Sequence, residues 1–169
     1  KLEKVRDSLA KIDDRLREIE IIISDSDDES SLAQMTARTA VICSTVGPYY
    51  KLGTPLVSAC VSTSTHYCDL TGEVPWVRKT IDEFHAKSME NRTRIVHCCG
   101  FDSIPFDLGV LLLQQHAESK FGEPACRVSC LVTRLKGGMS GGTIASMIGI
   151  LELARNKEAR KLLANPYSL

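Results

Sequence analysis

Short apolar runs alternate with stretches of helical period along most of this chain, and that alternation constrains the fold more than any other feature. Ile19-Glu20-Ile21-Ile22-Ile23, Ala40-Val41-Ile42-Cys43, His66-Tyr67-Cys68-Asp69-Leu70 and Arg94-Ile95-Val96-His97-Cys98-Cys99 are brief and rich in β-branched or buried-type residues, as strands are. Helices are predicted between them. Lys1 to Arg17 carries Leu2, Val5, Leu9, Ile12 and Leu16 at steps of three and four, one apolar stripe on a surface helix. Glu29 to Thr36 follows a capping residue, Asp28. Thr54 to Val61 has Pro55 where a missing N–H costs nothing, and Pro75 to Asn91 carries Val77, Ile81, Phe84 and Met89 on one stripe. Pro105 opens a helix over Phe106 to Ser119. Strands and helices in strict alternation predict an α/β fold, a doubly wound parallel sheet with helices on both faces and right-handed crossovers.

The pattern changes at Gly122-Glu123-Pro124. Cys126 to Leu135 alternates like a half-exposed antiparallel strand. A glycine-rich segment, Lys136 to Gly142, leads into helices over Thr143 to Ala154 and Lys157 to Ala164. The expected division is residues 1–122 as one domain and 123–169 as the beginning of a second, mixed α/β domain. A helix is already under way at Lys1 and no element closes the chain at Leu169, so the sequence reads as part of a longer polypeptide.

In a doubly wound sheet, ligands lie beyond the carboxyl ends of the strands. The four runs end in Asp25-Ser26, in Ser44-Thr45-Val46-Gly47-Pro48, in Thr71-Gly72-Glu73 and in Gly100-Phe101-Asp102-Ser103. Small residues let a ligand approach the backbone, while hydroxyls and carboxylates fix it. Any one ending is an ordinary turn. Four on one edge predict the rim of a binding cleft.

Composition removes other classes. Lys and Arg number 21 against 21 Asp and Glu, and aromatics are 5%, which leaves neither a basic stripe nor stacking platforms for nucleic acid. The seven cysteines form no CxxC pair, so reduced, buried thiols are expected rather than disulfides or a zinc site. His66, His85, His97 and His116 are scattered over different elements, which favours packed or surface histidines over ligands. No apolar run approaches the ~20 residues of a membrane helix. Gly138 to Gly142, Gly-Met-Ser-Gly-Gly, matches the G-x-S-x-G nucleophile elbow and would make Ser140 the nucleophile of a hydrolase. No histidine follows it in this chain, and a flexible connection with Thr143 as a cap is the plainer reading.

Three stretches in order, TVGPYYKLGTPLVSAC, YCDLTGE and GFDSIPFDLGV, resemble the saccharopine dehydrogenase-like oxidoreductases, in the branch that includes trans-acting enoyl reductases. The resemblance covers nearly the whole chain. It implies part of a Rossmann-type domain that binds NAD or NADP, and an oxidoreductase acting on a small-molecule or lipid-linked substrate by enoyl or carbonyl reduction. It also implies an intracellular setting, cytoplasmic or associated with lipid droplets or a membrane. Asp25 and Ser26 would border the adenine side. Ser44, Thr45, Val46, Gly47 and Pro48 would line the path towards ribose and nicotinamide. Gly100, Phe101, Asp102 and Ser103 would face the nicotinamide or the substrate, with Gly72 and Glu73 on the same rim. Tyr49 or Asp102 would be the proton donor if the chain supplies one. The family's GxGxxG turn does not occur in this sequence. A related protein that keeps the fold without the chemistry, serving as a lipid-associated scaffold, is the alternative.

Overall fold

The computed structural model describes residues 1–138, 140–165 and 167–169. Their elements are α1 (Leu2–Ala10), a 3-10 turn (Asp14–Glu18), α2 (Glu29–Thr36), β1 (Val41–Ser44), α3 (Tyr49–Ser62), β2 (His66–Asp69), α4 (Val74–Glu90), β3 (Ile95–Val96), α5 (Ile104–Phe121), α6 (Gly141–Leu153) and α7 (Lys157–Ala164). The three strands form one parallel sheet in the order β1-β2-β3. Val41 pairs with His66 and Ser44 with Asp69, while Tyr67 pairs with Ile95. This is an α/β architecture consistent with part of a Rossmann-like fold.

Helices α3 and α4 carry the core. Val57, Cys60 and Val61 of α3 and Trp76, Val77 and Phe84 of α4 close around Tyr67 of the central strand. Trp76 is held by a second constraint, its indole N–H donating to Thr54 Oγ1 at 3.0 Å. Gly53 allows this approach, because a Cβ there would meet Trp76 Cζ2 at 2.6 Å. Asp28 caps α2 as expected, its carboxylate accepting from the N–H groups of Ser30 and Ser31. A buried hydroxyl chain then joins α2 to the end of α3: Thr63 Oγ1 donates to Thr36 Oγ1, and Thr65 Oγ1 donates to the Thr36 carbonyl. Helix α7 begins at the Asn156 cap and packs on α4.

Several elements differ from expectation. Ile19–Ile23 forms no strand, since β1 pairs only with β2 and its outer edge is unpaired among the described residues. β-branched residues favour extended backbone, but a strand needs a neighbour to take its N–H and C=O groups. Cys126–Leu135 likewise pairs with nothing and is exposed except for Val128. Helix α1 stops at Ala10, nearly two turns short of the predicted end at Arg17, and a 3-10 turn takes up Asp14–Glu18. Helix α3 starts at Tyr49, so Pro55 lies inside it rather than in its first turn. The cysteines are all free, but only Cys60 is fully buried, and Cys43, Cys126 and Cys130 are exposed.

Candidate functional site

Parallel strands bring their carboxyl ends to one edge, and here α6 crosses that edge. A cavity of about 530 Å³ lies between them, within the range of small-molecule clefts. Thr45, Gly47 and Tyr49 line it from the segment after β1. Leu70, Thr71, Gly72 and Glu73 line it after β2, and Gly100, Phe101 and Asp102 after β3. Helix α6 adds hydroxyls from Ser140, Thr143 and Ser146 and apolar surface from Met147 and Ile150.

Of the residues singled out in the sequence, Thr45, Gly47, Gly100, Phe101 and Asp102 therefore share one cavity, together with Gly72 and Glu73. Ser44 is buried, and its carbonyl accepts from Tyr49 Oη at 3.1 Å. Ser44, Thr45 and Val46 also border a second cavity of about 480 Å³, between β1 and Glu20 and Ile22. Pro48 and Ser103 are the N-cap residues of α3 and α5. Asp25 and Ser26 lie in the loop before α2 and touch neither cavity; the Asp25 carboxylate accepts from the N–H of Asp27.

Glu73 organises this edge. It is 1% exposed, and its carboxylate accepts from the N–H groups of Tyr49 at 3.0 Å and Tyr50 at 2.7 Å. Those N–H groups open α3, whose N-cap Pro48 has no side chain able to bond them. Glu73 thus does from a distance what a Ser or Asp does locally at a helix start, in a position the helix dipole favours. Ser146 Oγ donates to the same carboxylate at 2.7 Å, which fastens α6 over the cavity.

Asp69 organises the other side. Continuing the β2–β3 register places it opposite His97, and His97 Nδ1 lies 2.7 Å from Asp69 Oδ2. Asp69 Oδ1 accepts from the N–H groups of Thr71 and Cys98, and its carbonyl accepts from Cys99 N–H. Its carboxylate is an acceptor throughout, which places the ring proton on Nδ1 and leaves Nε2 facing Thr80 Oγ1 at 2.9 Å. Cys98 adopts φ 59°, a left-handed conformation that turns the chain out of β3 towards the cleft.

Burial pushes the Tyr49 hydroxyl above its ordinary pKa, and that hydroxyl is already committed to Ser44. Tyr49 lines the cleft with its hydroxyl turned to the Ser44 carbonyl. Asp102 is exposed on the rim. Burial raises the Cys98 and Cys99 thiols, helped by the nearby Asp69 charge, so neither is an activated nucleophile. Ser140 caps α6: its hydroxyl accepts from Thr143 N–H, and residues 123–138 ahead of it form no strand. Among the described residues the strand–turn–helix that a nucleophile elbow requires is not present. Met139 of the same motif lies outside the described residues. No three His, Cys, Asp or Glu side chains converge as metal ligands among the described residues.

Sequence reasoning missed Ser146, Met147 and Ile150, because nothing local in α6 announces a contact with the β2 loop. It also read His97 as one scattered histidine. The signal was the parallel pairing of its run with the one ending in Asp69.

A parallel sheet with a cleft at its carboxyl edge, walled by small, hydroxyl-bearing and apolar residues, defines an α/β protein. Comparison with known proteins narrows this class. A Mycobacterium tuberculosis protein provisionally named a trans-acting enoyl reductase is 45% identical over 150 residues, 88% of this chain and 36% of its own length. The trans-acting enoyl reductase of Mycobacterium leprae is 36% identical over 169 residues, 99% of this chain and 40% of its own. That of Mycobacterium ulcerans is 37% identical over 171 residues, the whole of this chain and 40% of its own. The chain spans well under half the length of these curated relatives. No family model matches, and no solved structure matches. The similarity supports the enoyl reductase branch of the resemblance.

Proposed function

We propose that this chain forms the nicotinamide and substrate end of an NAD(P)H-dependent enoyl reductase that acts on lipid-linked substrates. The observation that carries the reading is the convergence of three strand tips and α6 on one cleft, in a chain whose similar proteins are named enoyl reductases.

The residues fit the group in part. A Cβ at Gly72 would meet nothing within 4 Å, so that backbone faces open space. At Gly100 a Cβ would lie 2.9 Å from Asp102 Oδ1 and 3.2 Å from Leu70 Cβ, so bare backbone there relieves a crowded wall. Gly72, Gly100, Phe101, Leu70 and Met147 line the cavity and would be the residues to hold a nicotinamide ring. No GxGxxG turn for a pyrophosphate exists in these residues. A further parallel strand carrying such a turn would find its partner in the open outer edge of β1.

Reduction of an enoyl group adds hydride to one alkene carbon and a proton to the other. A bound nicotinamide supplies the hydride. This chain's task is positioning and exclusion of water. The hydroxyls of Thr45, Thr71 and Thr143 are placed to orient a polar head, and Met147, Ile150 and Phe101 to cover an apolar tail. Asp102 is the rim carboxyl within reach of solvent protons.

The test is titration of the full-length protein with NADPH, followed by fluorescence, and then NADPH consumption with an enoyl thioester. Saturable binding and turnover are expected. Absence of binding overturns the reading, and binding without turnover on enoyl or carbonyl substrates favours the scaffold alternative.

A further inference from the structure

Helix α5 is 18 residues long and buries none of them, whereas α3 buries six and α4 five. Its residues are not those of a solvated helix. Leu108, Val110, Leu111, Leu112 and Leu113 all stand exposed, Leu112 at 68%. Successive positions lie about 100° apart on a helix. These five side chains therefore point to every side, with Leu112 and Val110 nearly opposite. A helix that is apolar all round is built for burial on more than one side.

The end of α5 is a built end and not a frayed one. Gly122 caps it at φ 81°, and Gln114 clamps the departing chain, its amide donating to the Ala125 carbonyl and its oxygen accepting from Ala125 N–H. That clamp occupies one narrow side only.

A lipid surface covers a single face of a helix lying on it, and a two-fold contact with a second copy covers a single patch. Neither can bury opposite sides of α5. The curated relatives are longer by more than half their length, polypeptide enough to wrap a helix. We propose that α5 is the central helix of an interface within the complete protein, enclosed on at least two sides by polypeptide outside these 169 residues. This does not depend on the cofactor reading.

Hydrogen exchange on the full-length gene product tests it without any substitution. The α5 amides are expected to exchange as slowly as those of α3. Leu112→Arg and Val110→Arg, on opposite sides, are each expected to lower the melting temperature by several degrees. Exchange in α5 as fast as in α1 overturns the proposal. So does sensitivity at only one of the two positions, which would mean a single covered face. Loss of a dimer by sedimentation, or of flotation with phosphatidylcholine vesicles, on either substitution overturns it in favour of a second copy or a membrane.

Discussion

Glu73 and Ser146, 73 positions apart, share a 2.7 Å hydrogen bond at the floor of the cleft, and the same carboxylate opens α3. Substituting Ala at Glu73 leaves two buried N–H groups and a hydroxyl without their acceptor. Bonds to charged groups contribute about 1.5–3 kcal/mol each, so the variant is expected to lose at least about 3 kcal/mol of unfolding free energy. Urea denaturation measures it. Ser146→Ala removes one bond only and is expected to cost about 1.5–3 kcal/mol or to release α6 alone, seen as faster amide exchange confined to that helix. A loss below about 0.5 kcal/mol for Glu73→Ala contradicts the assigned role.

Gly72 separates ligand binding from stability. Space around its missing Cβ is empty, and no left-handed angle is imposed on it. Gly72→Val is expected to leave the melting temperature within about 2 °C, since substitutions away from packed features cost within about 0.5 kcal/mol. Gly72 lines the cleft, so methyls added there are expected to lower NADPH or substrate affinity at least tenfold. Unchanged affinity in both titrations would place the ligand elsewhere.

Gly53→Ala sets two effects against each other. Alanine is favoured over glycine in a helix by about 1 kcal/mol. The new Cβ would strike the Trp76 ring at 2.6 Å, and that ring is pinned by Thr54, so overpacking of about 1–3 kcal/mol opposes the gain. Net destabilisation is expected in thermal melts. A stabilised variant would show that the ring can move.

How much of this was legible in the residues varies with distance. Asp28 and α2 were, because a cap and its N–H groups are neighbours in sequence. The helix Lys157–Ala164 was legible for the same reason, with Asn156 supplying the cap. The start of α3 was not. Its acceptor is Glu73, 24 residues on, so the local sequence offered only Gly-Pro and a later proline. Ile19–Ile23 and Cys126–Leu135 have strand composition, but composition cannot supply a pairing partner. Three of the four strand endings met at one cleft because three of the four runs are paired. Asp25 and Ser26 were left out when the first run was not.

Asp69 and His97 are expected to be energetically coupled. Removing one partner of a buried hydrogen bond to a charged group costs about 1.5–3 kcal/mol. Asp69→Asn and His97→Gln should each destabilise, and the double variant should cost less than their sum by more than about 1 kcal/mol. Additive losses in a double-mutant cycle would mean the contact is incidental.

Alkaline pH is expected to weaken the fold. Burial raises the Cys60 thiol to about 12 from an ordinary value of 9.0, and raises the Tyr49 hydroxyl as well. Below about pH 8 both groups are protonated in the folded and unfolded chains, so their contribution is fully present. Above it the unfolded chain loses protons first, and stability falls by up to about 1.4 kcal/mol per pH unit for each group until the folded pKa is passed. Urea midpoints at pH 7, 9 and 10.5 measure the slope, and Cys60→Ala should make it shallower. At pH 8, iodoacetamide should label Cys126 and Cys130 and spare Cys60. Labelling of Cys60 as fast as its exposed counterparts contradicts its burial.

The carboxylate of Glu73 serves a helix start and a cleft wall at once, which has a consequence for divergence among related chains. Selection for a roomier or narrower ligand cannot act through that side without also loosening the scaffold. Changes in the shape of the cleft are channelled instead to lining positions without that double duty, Gly72 and Met147 among them.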